Sequence, residues 1–257
     1  HNMDDNCYVL GLQDLTTKQC NQIEERVNEY FSDYDLDVTI SFKSFENERD
    51  MLGFFFYQLL PKIYLMTGWN FVYFDWKYLY KRAKKLDLDI GKASITGEVG
   101  YEGRRGWAIP KHMTILDYQH LFGKYDYSIK IKENEKLDWV AEQVLGLKKL
   151  GYENSLLDLH DKNYPKFLTY NIIDTILVKQ IHAKLDLLSV HSLLSVIAGG
   201  LKLRDADSPV AMTEPSIIPE LKKERDKVFV KPGSERADMK SSYIGGWVKE
   251  VDKGKYK

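Results

Sequence analysis

Apolar residues recur along this chain with two periods, and the change from one to the other marks its elements. Residues 7–12 form a short apolar run that predicts a strand. Across 16–31 the spacing of Ile23, Val27 and Tyr30 is helical, whereas Val38, Ile40 and Phe42 alternate across 37–45, the period of a half-buried strand. Between 46 and 60 the apolar positions Met51, Leu52, Phe55, Phe56 and Leu59 form a broad helical face that Pro61 helps to end. A short apolar piece, 63–66, is broken by Gly68. The next run reads as a buried strand leading into Asp75, and residues 75–86 resume helical spacing with a basic outer face at Lys81, Arg82, Lys84 and Lys85.

From 94 to 109 the chain becomes Gly-rich and alternating, which predicts a β-hairpin turning at 101–106, with another short strand at 113–116. Helices are expected over 136–145, where Leu137, Val140, Ala141 and Val144 repeat, and over 164–198, where the apolar pattern is nearly unbroken. After Gly199-Gly200, prolines at 209, 215, 219 and 232 exclude long regular elements. From Leu221 onward eleven Lys or Arg face six Asp or Glu. This change predicts a globular unit over 1–200 and a linker or basic arm over 201–257.

Composition narrows the classes. With 257 residues, 44% apolar and 13% aromatic, the chain has ample material for a core, which excludes disorder throughout. A formal net charge of −1 gives the whole chain no pull on nucleic acid, leaving local patches to supply it. Cys7 and Cys20 lack zinc or disulfide spacing and point to a reducing, cytoplasmic compartment. No apolar run reaches a membrane span, and His1-Asn2-Met3 reads as a remnant before a natural start.

Two segments about a hundred residues apart carry candidate chemistry: Thr67-Gly-Trp-Asn-Phe-Val-Tyr-Phe-Asp75 and Tyr170-Asn-Ile-Ile-Asp174. On a helix Tyr170 and Asp174 share one face. Carboxylates that hold two Mg2+ or Mn2+ ions suit phosphodiester hydrolysis, with a phenol nearby to orient the attacking water. Each residue also has a plainer reading: Asp75 as a helix N-cap, Tyr170 and Asp174 as a solvated helix face, and Asp117 as a strand-end or capping residue. The histidines show no metal spacing, and Gly199-Gly200 suits a helix C-terminus.

Together these segments, with Phe45-Glu-Asn-Glu-Arg-Asp-Met-Leu52 and Ile115-Leu-Asp-Tyr118, occur in the order found in family B DNA polymerases. The chain resembles most the replicative polymerases of tailed bacteriophages, which would place it in the host cytoplasm. Asn70, Phe74 and Asp75 match that family's second exonuclease motif, and Tyr170 and Asp174 its third. The resemblance implies a ribonuclease H-like α/β fold, a mixed sheet flanked by helices, that removes mispaired nucleotides from a primer's 3′ end. Asp75 and Asp174 would bind the two metals and Tyr170 would position the water. Asn70 and Phe74 would meet the DNA. The 94–109 segment would be an inserted hairpin whose Arg104 and Arg105 touch phosphates. Tyr243-Ile-Gly-Gly246 resembles the element joining exonuclease and palm, so that Tyr243, Gly245 and Gly246 would contact DNA.

Two departures qualify this. The family's first exonuclease motif, Asp-x-Glu, is absent before residue 40, and the first palm motif does not come after Tyr243-Ile-Gly-Gly246. The expectation is therefore an internal piece of a polymerase, lacking N-terminal strands of the fold, with weak or absent metal binding and little or no nuclease activity. Its partners would be single-stranded or primer-template DNA, the remainder of a polymerase, or a second copy of the chain covering an open strand edge. The alternative is a non-catalytic single-stranded DNA-binding module or a subunit of a split polymerase.

Overall fold

The computed structural model describes residues 5–34, 36, 38–101, 107–129, 133–148, 150–151 and 155–199, with positions 203, 212, 213, 215, 217, 219 and 223. The expected linker and palm region, with Tyr243, Gly245 and Gly246, lies almost entirely outside them, as do Arg104 and Arg105.

The chain begins with strand β1 (Asn6–Gly11) and helix α1 (Thr17–Tyr30). Thr16 and Gln19 form a reciprocal capping box, which sets where α1 starts. Strand β2 (Thr39–Ser44) returns parallel to β1, pairing Cys7 with Ile40 and Val9 with Phe42. Helix α2 (Glu48–Phe54), capped by Asn47, widens into a π-helical turn (Phe55–Leu59) and tightens into a 3-10 turn (Leu60–Lys62) that carries Pro61.

Strand β3 (Leu65–Gly68) comes next, but the apolar residues beyond it do not continue as a strand. They enter a second π-helical turn (Val72–Trp76), where the Trp76 N–H reaches back to the Phe71 carbonyl, and run on into helix α3 (Lys77–Lys85). Asp75 therefore lies inside a helical run and does not cap it. β propensity at 71–74 is overridden by Asn70, whose φ of +54° ends the strand, and by acceptors brought from elsewhere in the fold.

A 3-10 turn (Ile90–Ala93) leads to the antiparallel pair β4 (Val99–Tyr101) and β5 (Ala108–Pro110). Strand β6 (Thr114–Asp117) then pairs parallel with β3, Gly68 opposite Asp117. Helices α4 (Tyr118–Tyr125), α5 (Leu137–Leu145), α6 (Leu156–Lys162), α7 (Tyr164–Leu185) and α8 (Leu187–Ile197) complete the described chain. The single long helix expected over 164–198 is two. Asp186 adopts the left-handed conformation at φ 47° and breaks it, a residue type that tolerates that region without glycine.

Helices and strands are thus mixed as expected, but the described strands form three separate two-stranded ladders in place of one continuous mixed sheet. One core joins Cys7 of β1, α1, α4, α5 and α7 around Val27, Phe31, Phe122 and Ile173; the other joins α2, α3, β5 and β6 around Phe56, Leu60 and Trp76. Strand β6 belongs to both, because alternation turns Ile115 into the second core and Leu116 into the first. The β3–β6 ladder is accordingly the wall between them. Among the described residues no helix is long and apolar enough to cross a membrane.

Candidate functional site

Parallel strands β3 and β6 both end beside Gly68 and Asp117, and the chain turns sharply there. A Cβ on Gly68 would stand 2.8 Å from the Phe71 Cβ, so only glycine lets the turn close. Asp117 organises the backbone on both sides of the ladder's end. Its carboxylate accepts the Asn70 N–H at 3.0 Å, the Val72 N–H at 3.1 Å and the Gln119 N–H at 3.1 Å, so it fixes the left-handed turn, the start of the π-helical run and the start of α4 together. The capping reading of Asp117 holds, and the residue does more than cap one helix.

Beside this turn lies a cleft of about 350 Å³, lined by Trp69, Asn70, Gln119, Lys136, Leu137, Asp138, Tyr170 and Asp174. Trp69 forms a wall: its indole N–H donates to the Glu135 carbonyl at 2.9 Å, and its ring lies 5.7 Å from Phe122 and 6.3 Å from Tyr118. Gln119 donates to the same Glu135 carbonyl at 2.8 Å, tying the segment before α5 to the cleft. Tyr170, on α7, is buried, and Asp174 is half-buried one turn further along. Burial pushes the Tyr30 phenol on α1 up to about 12, and the Asp174 carboxylate adds to the shift.

Asn70, Tyr170 and Asp174 are therefore brought together, although a hundred residues separate the first from the others. Asp75 does not line this cleft. It sits with Phe74 on the outer side of the π-helical turn, where crowding of its carboxyl raises its pKa, its own backbone N–H lowers it, and the Asp117 carboxylate raises it. Asp117 is likewise raised by burial against the lowering effect of its backbone donors. Lys136, the residue before α5, and Asp138, in its first turn, enter the cleft together. Sequence reasoning missed both, since their helix was legible but its packing against α7 was not.

A two-metal centre needs several carboxylate oxygens converging on ions a few ångströms apart. The cleft offers Asp138 and Asp174, and among the described residues no three His, Cys, Asp or Glu side chains gather as a metal site. The described ligands thus do not fit a two-metal pair. What they can do is bind. Lys136 supplies a cation, Asn70 an amide, Tyr170 a phenol and Trp69 an aromatic wall, around a space of the size that takes a small ligand.

Comparison with known proteins gives a context for this geometry. Residues 8–130 match the model of the DNA polymerase family B exonuclease domain. The DNA-directed DNA polymerase of Escherichia phage RB69 is 28% identical over 229 residues, covering 85% of this chain and 24% of that protein. That of Enterobacteria phage T4 is 28% identical over 223 residues, covering 82% of this chain and 24% of that protein. The chain spans about a quarter of the length of the curated relatives it matches. The exonuclease-domain match runs from β1 past the Asp117 turn, so residues 8–130 are similar to the exonuclease domain of family B DNA polymerases.

Proposed function

We propose that this chain supplies the 3′ to 5′ exonuclease portion of a DNA polymerase and that, alone, it binds the end of a DNA strand without cutting it. One observation carries the reading: Asn70 from the second exonuclease motif and Tyr170 and Asp174 from the third line the same cleft at the carboxyl ends of β3 and β6. The ribonuclease H-like arrangement belongs to this reading, supported by two parallel ladders and by the antiparallel β4–β5 pair where the inserted hairpin is expected. So does the division into an exonuclease domain over 1–200 and a link to the palm over 201–257, working in the host cytoplasm.

In this reading an unpaired terminal nucleotide enters beside Trp69. The Lys136 ammonium attracts its phosphate, and the Asn70 amide and Tyr170 hydroxyl supply hydrogen bonds that fix its orientation. Asp174 offers an acceptor to a water at the phosphate. In this reading, holding the strand end is the step this chain performs.

The test is a 5′-labelled single-stranded oligonucleotide incubated with Mn2+ and the chain, or its Asp75→Ala and Asp174→Ala variants. The expected result is a bound oligonucleotide of unchanged length. Shortening that disappears in both variants would show a completed metal site and refute binding without cutting. Absence of any binding at low salt would refute the DNA reading itself.

A further inference from the structure

The run from Phe74 to Lys85 divides sharply into two faces. Trp76, Tyr80 and Ala83 point into the second core and are buried. The opposite side carries Phe74, Lys77, Tyr78, Lys81, Lys84 and Lys85, spaced three and four apart and all exposed, with Phe74 at 70% and Tyr78 at 62%. Asp75 is the sole acid between 74 and 85. Arg82, also in this run, is committed elsewhere, to a paired contact with Glu48 on α2. Large aromatic rings left in water beside lysines have a chemical use. Lysines draw phosphates, and a ring stacks on any base through its face.

We propose that this exposed face of Phe74–Lys85 is a binding track for single-stranded nucleic acid. The inference rests on the proposed DNA function and adds a surface outside the cleft. Charge complementarity and continuity support it, because the track begins at Phe74 and Asp75, on the turn that Asp117 ties to Asn70 of the cleft. Twelve helical residues span about 17 Å, enough for about five phosphates at the stacked spacing of one strand. An anionic membrane surface fits less well. Helices that lie in membranes segregate apolar and basic residues onto opposite faces, whereas here rings and lysines interleave on one face and the apolar face is used by the core.

Fluorescence anisotropy of a labelled oligothymidylate in EDTA, over a salt series, tests this without hydrolysis. Two double variants remove equal charge: K77Q/K81Q on the track, and K18Q/K148Q on the α1–α5 side. The salt slope should become shallower by about 1.4 in the first and stay unchanged in the second if it is the track that meets phosphates. Tyr78→Ala should weaken binding by about 5- to 150-fold through the loss of one base stack. Equal effects of the two double variants, or an unchanged affinity in Tyr78→Ala, would overturn the track. So would duplex DNA bound as tightly as the single strand, or anionic vesicles bound in its place. Strand shortening in the nuclease assay with an intact track would overturn only binding without cutting; binding that the track variants leave untouched would overturn only the track.

Discussion

Replacing Asp117 by alanine removes the acceptor of three backbone N–H groups at once, and its cost can be worked from their surroundings. The Gln119 bond is a helix cap, and losing such a cap costs about 1 kcal/mol. The Asn70 and Val72 bonds each contribute about 1 kcal/mol, the first in an exposed setting where water takes over part of the role. Against this, the variant removes a carboxyl that burial disfavours and that repels Asp75. The net loss is about 2 kcal/mol, or about 4–8 °C in Tm for a chain of this size. Asp117→Asn keeps one oxygen but turns an amide toward the remaining donor, so about 1 kcal/mol is expected. Urea unfolding gives both values, and hydrogen exchange of the Asn70 and Val72 amides locates the change. A stability within about 0.5 kcal/mol of the wild type, or undiminished protection of those two amides in Asp117→Ala, would refute the clamp.

Two further outcomes follow from the charges around the site. The Asp75 carboxyl is raised in the fold, so its favourable share of stability is present below its unfolded pKa of about 4 and is lost as pH rises through the folded value; Asp75→Asn should therefore be at least as stable as the wild type at pH 7, and a lower Tm there would count against this. Tyr30, raised from about 10 in unfolded chain to about 12, should protect the fold fully below pH 10 and cease to do so as pH rises through 12. In Asp174→Asn its phenolate should appear at lower pH in an absorbance titration, and an unshifted titration would place Asp174 away from Tyr30.

What the sequence made legible was local. Thr16 and Gln19 announce α1, the alternation of Val38, Ile40 and Phe42 announces β2, and Pro61 and Gly68 punctuate the chain near where α2 and β3 end. Where tertiary contacts decide, the pattern misled. Phe71 to Phe74 has strand composition but is started as a helix by Asp117, a residue forty-odd positions away. The break at Asp186 left no trace because apolar residues continue on both sides of it. Pairing of strands into separate ladders is equally invisible, since alternation gives a strand's faces but not its neighbour. The site was read in the same uneven way. Tyr170 and Asp174 share a helix face and were found as a pair, whereas Lys136 and Asp138 reach the cleft only through packing.

The π-helical turn at Val72–Trp76 holds one more residue than an α-helix of equal rise, and it is pinned at both ends, by Asp117 before it and by the buried Trp76 ring after it. That spare residue sets a phase. Deleting one position would let the turn relax to α geometry with its anchors intact, and the side chains between them would be redirected by up to about 100°. Phe74 and Asp75 would leave the side they now occupy while α3 kept its seat in the core. The turn works as a vernier, so a change of length by one residue would redirect chemistry at this end of the helix without unfolding it.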